Sequence, residues 1–160
     1  MPPSGTRRIS EEEFLRRFPS AVVDGKLASG LLEEAWRIKN PDDLGCALTI
    51  GATFGFAADQ IDILCSLLEE NWHFSHENIV ITLDEFRSPR AVNTLFRATQ
   101  WIPEYLDYDK TRALAVKATF ALGNIPGAES RSKLEVLANS HDEVLRKGAK
   151  HLLEHREDVT

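Results

Sequence analysis

Asn40-Pro41-Asp42-Asp43-Leu44-Gly45-Cys46-Ala47-Leu48 decides the fold, because within four residues it stops one helix and starts another. An Asn side chain can accept hydrogen bonds from the first free N–H groups of a helix. Proline is pre-set for the first helical position, and two carboxylates suit the positive N-terminal end. Leu44, Ala47, Leu48 and Gly51 then recur at the spacing of one helix face, as Leu31, Leu32, Ala35 and Ile38 do before the break. Two apolar stripes joined by so short a break predict a helical hairpin.

The same grammar extends outward. Ile61, Leu64, Cys65 and Leu68 predict a helix followed by Ile79, Leu83 and Phe86 on the next, with Ser75 as the cap between them. Ser88-Pro89 opens a third pair carrying Val92, Leu95 and Phe96, then Leu114, Ala115, Ala118, Ala121 and Leu122, ended by Gly123 and Pro126. Leu134, Leu137 and Ala138 begin a fourth, and Ser140 with Glu143 has capping-box spacing before Val144, Leu145, Ala149, Leu152 and Leu153. Upstream, Ser10 and Glu13 repeat that spacing and predict a short helix with Phe14, Leu15 and Phe18 inward, then a loop over 19–26. The β-branched run Ile79-Val80-Ile81-Thr82 is the one strand candidate and reads as helix, since helix-compatible charged residues flank it. The expectation is an all-α chain: a flexible tail over 1–9, one helical domain over 10–157, and fraying from Arg156.

Composition narrows the function classes. The 160 residues are 42% hydrophobic, enough for one ordinary core. With 25 acidic against 19 basic side chains the formal charge is -6, which disfavours nucleic-acid backbones and anionic membranes and favours basic partners. Cys46 and Cys65 lie in apolar helical patterns without disulfide or metal spacing, so they read as inert core thiols in a reducing, cytoplasmic protein. The basic N-terminal stretch has no apolar core behind it and does not read as a secretory signal, and no apolar run reaches membrane-spanning length.

Ala118-Thr119-Phe120-Ala121-Leu122-Gly123 and, more loosely, Asp142-Glu143-Val144-Leu145-Arg146 with Ala149, Leu152 and Leu153 resemble the second helices of HEAT-like repeats. Asn124-Ile125-Pro126-Gly127-Ala128 resembles the turn between such repeats. The first two hairpins match only in pattern, through Pro41-Asp42-Asp43 and His76-Glu77-Asn78-Ile79. The resemblance implies a short right-handed α-solenoid, an alpha-alpha superhelix of about four antiparallel pairs behind an N-terminal helix. The polar last helix, with Arg146, Lys147, Lys150, Glu154, His155 and Arg156, would close its end.

The spacing departs from a regular repeat in one place. Ala118 and Ala149 stand 31 residues apart, Leu95 and Leu134 39 apart, so the third pair carries roughly eight extra residues, Trp101 to Tyr108. This insertion holds one of the three Trp and both Tyr residues among acids. Such aromatics are favoured binding anchors because they bury much area at little rotamer cost, although Trp101 and one Tyr would equally serve to cover the end of the core.

No catalytic motif is complete. His151-Leu152-Leu153-Glu154-His155 has the His-x-x-Glu-His order of inverted zinc peptidases, yet only five residues follow it in which to find a third ligand, and it reads as a solvent-facing helix end. Trp72-His73-Phe74-Ser75-His76 offers a possible ligand corner, against the simpler account of a loop whose aromatics cap the core while its histidines stay wet. Gly51 and Gly55 lack the strand and the Lys-Ser/Thr of a phosphate cradle and read as close packing and a helix stop. The acid pairs Asp42-Asp43, Glu69-Glu70 and Asp84-Glu85 point to different helix sides and mark solvated faces. Neither cofactor nor metal is called for.

The expected function is therefore a non-catalytic protein-binding module. Within the HEAT-like resemblance, short acidic proteins of this kind look like bacterial immunity proteins that neutralise a cognate toxin, often a nuclease with a basic active site. The expected contact residues are Trp101, Glu104, Tyr105, Asp107 and Tyr108, with Asp42, Asp43, Glu77, Asp84 and Glu85 behind them. The expected partner is a basic protein, with neither nucleic acid nor membrane, and the chain a monomer or a homodimer. The alternatives are a scaffold or adaptor, or a HEAT-like enzyme: an alkylated-base glycosylase holding DNA on Arg87, Arg90, Arg97 and Arg112, or a phycobilin lyase.

Overall fold

The computed structural model describes residues 10–17 and 25–156, and of Glu11, Phe14 and Leu15 the backbone alone. The expected tail over 1–9, the inward positions of Phe14, Leu15 and Phe18, most of the loop over 19–26, and residues 157–160 lie outside what is described. The described residues are helical and contain no strand. The helices are α1 (Glu11–Arg17), α2 (Lys26–Ile38), α3 (Pro41–Phe54), α4 (Ile61–Leu68), α5 (His76–Phe86), α6 (Val92–Gln100), α7 (Ala113–Asn124), α8 (Ala128–Ala138) and α9 (Glu143–His155). None of them is long and apolar enough to cross a membrane.

Local chemistry places most of the boundaries. Asn40 Oδ1 accepts from the backbone N–H of Asp42 and of Asp43 at 3.0 and 3.3 Å, with Pro41 in the first turn of α3, as its sequence requires. Ser88 Oγ accepts from Arg90 N, but over Pro89–Ala91 the turn is a tight 3-10 one before α6 begins. At α1, Ser10 Oγ accepts from Glu13 N at 3.1 Å. Two expected caps differ. Asp142, not Ser140, caps α9, accepting from Val144 N and Leu145 N, while Ser140 Oγ takes the N–H of Asp142. Ser75 precedes α5 without lending its side chain as a cap. Gly51 and Gly55 close α3 as expected: the aromatic ring of Phe56 fills the space a Cβ on Gly51 would need, and Gly55, at φ 101°, donates its N–H to Gly51 O.

Consecutive helices pack in pairs, α2 on α3, α4 on α5, α6 on α7 and α8 on α9. Between pairs, α3 meets α5, α5 meets α7 and α7 meets α9, while α2 meets α4, α4 meets α6 and α6 meets α8. The most enclosed helix is α7, which also touches α8, and it buries Leu114, Ala115, Ala118, Thr119, Ala121 and Leu122. Its small residues let neighbours approach closely: a Cβ on Gly123 would collide with Leu152 of α9. The shared core includes Leu32, Leu44, Leu64, Ile79, Leu95, Leu122 and Leu134, and each such side chain contributes about 1.5–3 kcal/mol by leaving water.

Several inward expectations are corrected. Cys46 is exposed, because α3 buries Leu44, Ala47, Leu48 and Gly51 and position 46 falls off that stripe, while Cys65 is half-buried. Ile38 and Val144 are exposed at the ends of their stripes. Arg156 does not fray: its Nη2 donates to Ile125 O at 2.8 Å, Gly127 O at 2.9 Å and Ser130 Oγ at 2.7 Å, tying the end of α9 to the turn before α8.

Candidate functional site

The connections α4–α5 and α6–α7 meet in one aromatic cluster. In the first, carbonyls at and just beyond the C-terminal end of α4 need donors. His73 Nε2–H donates to Leu67 O at 2.7 Å, and its Nδ1 accepts from Ser75 N at 3.1 Å. His76 Nε2–H donates to Glu70 O at 2.6 Å, leaving Nδ1 to accept from the Tyr105 hydroxyl at 2.8 Å. Carbonyls only accept and amides only donate, so His73 is a neutral Nε2–H tautomer and His76 carries its proton on Nε2; a hydroxyl can give or take, and it is burial that keeps His76 neutral and its Nδ1 an acceptor. Their rings stack 4.1 Å apart and both are fully buried, which corrects the expectation that they stay wet. Burial pushes the His76 pKa down from 6.5 to about 4, despite the Glu70 carbonyl, and lowers that of His73. Burial raises that of Tyr105.

The second connection is the insertion. Extended backbone at Trp101 ends α6, buried Pro103 follows, a 3-10 turn spans Glu104–Leu106, and Leu106 is sunk into the core. Beyond it Asp109 accepts from Thr111 N and Ala113 N, both at 2.9 Å, so its carboxyl is held below the ordinary range, first by the Thr111 hydroxyl. Arg112, at φ 56°, donates to Thr99 O and pairs with Asp142 of α9. Trp101 sets its ring against His76 at 5.0 Å and 74°, and Phe74 meets Tyr105 edge to face at 5.2 Å and 87°. The insertion is thus fastened to the α4–α5 turn from one side and to α9 from the other.

Outside this anchored base lies a groove of about 690 Å³ lined by Asn71, Phe74, Trp101, Ile102, Glu104 and Tyr105. Phe74 is 66% and Ile102 46% exposed on its rim. Phe74 also borders a second groove of about 560 Å³ with Asp42, Cys46 and Ile50 on α3. The structure therefore joins Trp101, Glu104, Tyr105 and, across Phe74, Asp42. Asp107 is exposed, Tyr108 is 80% exposed, and Asp43 is exposed on the first turn of α3. Glu77 is paired with Lys117 of α7. Asp84, which accepts from Asn124 Nδ2 at 2.9 Å, and exposed Glu85 stand at the far end of α5, about 12 Å along its axis from His76. They do not join the groove.

Asn71 lies outside every expected site, and Ile102 lay in the insertion without being named as a contact; Phe74, expected to cap the core, is corrected to an exposed ring, because its packing is against Tyr105 at the surface. The Trp72–His76 stretch was visible as a cluster, but its junction with the insertion depends on Tyr105, 29 residues after His76. As a ligand corner the stretch fails, since all four imidazole nitrogens are engaged. At the end of α9, His151 and His155 face each other at 4.3 Å, and His155 Nδ1–H donates to His151 O. Among the described residues no three His, Cys, Asp or Glu side chains converge as a metal site. Compared with protein-family models, with curated proteins and with solved structures, the chain matches none.

Proposed function

We propose that the chain is a short HEAT-like α-solenoid acting as a non-catalytic protein-binding module, and that the groove beside the insertion is its docking face. The pairing of consecutive helices, with odd-numbered helices meeting odd and even meeting even, supports the stacked-hairpin reading. The observation that carries the docking face is the exposure of Phe74 and Ile102, beside Glu104, on a base held by the His76–Tyr105 and Arg112–Asp142 contacts. Large apolar side chains offered on a rigid base lose little conformational freedom when covered, and acids around them favour a basic partner. Within this class the reading we favour is an immunity protein that occupies a basic toxin domain, such as a nuclease; an adaptor would present the same chemistry.

The alternative of an enzyme on DNA is weakened by one observation. Arg90 pairs with Asp62, Arg97 with Glu69 at 2.6 Å, and Arg112 with Asp142, so three of the four arginines suggested for phosphate contact are already held by carboxylates. A tagged pull-down from native lysate, with salt raised stepwise, tests the two readings. One stoichiometric basic protein that is toxic when expressed alone, and harmless when co-expressed with this chain, is the expected result. Recovery of nucleic acid alone contradicts it and favours the enzyme.

A further inference from the structure

Resting on that docking face, we infer that the groove lined by Phe74, Tyr105 and Glu104 receives an arginine side chain of the partner. Phe74 and Tyr105 meet edge to face at 5.2 Å and 87°, and with Trp101 they line the groove, so the 66% exposed Phe74 offers a ring surface on which a planar cation can stack. A guanidinium is planar and weakly hydrated, so it stacks on an aromatic face at little desolvation cost while its edge N–H groups grip a carboxylate. Glu104 supplies that carboxylate at the rim, and Asn71 adds an amide. Among the described residues no internal cation occupies Glu104. Lys117 is committed to Glu77, Arg97 to Glu69 and Thr94, and Arg112 to Asp142 and Thr99 O. The negative charge of the groove is therefore left for something outside the chain. An ammonium has no plane to stack and no fork to match Glu104, so lysine fits the same groove less well.

The test is an NMR titration of the full chain with N-acetyl-arginine amide, its neutral isostere N-acetyl-citrulline amide, and N-acetyl-lysine amide. Saturable shifts confined to Phe74, Trp101, Ile102, Glu104 and Tyr105 are expected, with arginine at least fivefold tighter than citrulline and tighter than lysine. Glu104→Gln and Phe74→Leu each weaken arginine at least fivefold without changing Tm. Equal binding of arginine and citrulline, or arginine shifts elsewhere or absent, overturns the inference. If a protein partner docks on this face while the arginine probe fails, the docking reading stands and this inference falls. If the probe binds as described and the partner docks elsewhere, the docking reading falls and the arginine site stands.

Discussion

The Tyr105 hydroxyl donates to Nδ1 of His76 across 2.8 Å, and this single bond fastens the α6–α7 insertion to the first residue of α5. In this direction the bond needs a neutral His76, because protonation takes up the Nδ1 lone pair and leaves the imidazolium as the donor to the phenol oxygen. The ring is shut away from water, its other nitrogen is spent on Glu70 O, and His73 lies stacked on it.

Stability therefore falls with acid. Unfolded histidine takes up a proton near pH 6.5, whereas His76 in the native chain resists until about pH 4. The contribution is complete above pH 6.5, is lost progressively as pH falls toward 4, and levels off below. The loss is up to about 3 kcal/mol, with His73 acting in the same direction. Urea unfolding from pH 7.5 to 4 measures it, and His76→Gln should flatten the slope.

Tyr105→Phe keeps the ring and removes the donor, leaving a buried nitrogen acceptor unpaired. A loss of about 1–3 kcal/mol is expected in urea midpoint analysis at pH 7.5. An unchanged midpoint would mean that the bond does not hold the insertion.

Two glycine substitutions should act in opposite directions. Gly30, exposed on α2, has open space around a Cβ, so Gly30→Ala should stabilise by about 0.5–1 kcal/mol. Gly51→Ala puts a methyl into the Phe56 ring and should destabilise by about 1–3 kcal/mol, both read from thermal melts.

Asp142 both caps α9 and pairs with Arg112. Asp142→Ala should cost about 1–3 kcal/mol, and Asp142→Asn, which keeps an accepting oxygen for the cap, about half as much. Circular-dichroism melts of the two variants separate the cap from the charge.

Asn40, Pro41 and the stripe beginning at Leu44 were legible in the sequence because a helix start is a local event, settled by groups three or four residues apart. The cap of α9 was misread because Ser140 and Asp142 both lie within reach of free N–H groups, and only the chain's entry angle selects the carboxylate. Cys46 was misplaced because an apolar residue one step off a stripe turns about 100° away from the core. The insertion was visible as an irregular spacing between helices. That it covers His76 depends on Tyr105 and Trp101 arriving from elsewhere in the chain, which no local pattern encodes.

The central claim is a docking face at Phe74 and Ile102, and partner affinity in a variant set tests it most directly. With the captured partner and isothermal titration calorimetry, the double variant Phe74→Ala/Ile102→Asp should lose at least 100-fold in affinity with Tm unchanged. Phe120→Ala, which removes a 48% exposed ring on α7 outside the groove, should change affinity less than threefold. Full affinity in the double variant, or loss confined to Phe120→Ala, would contradict the account.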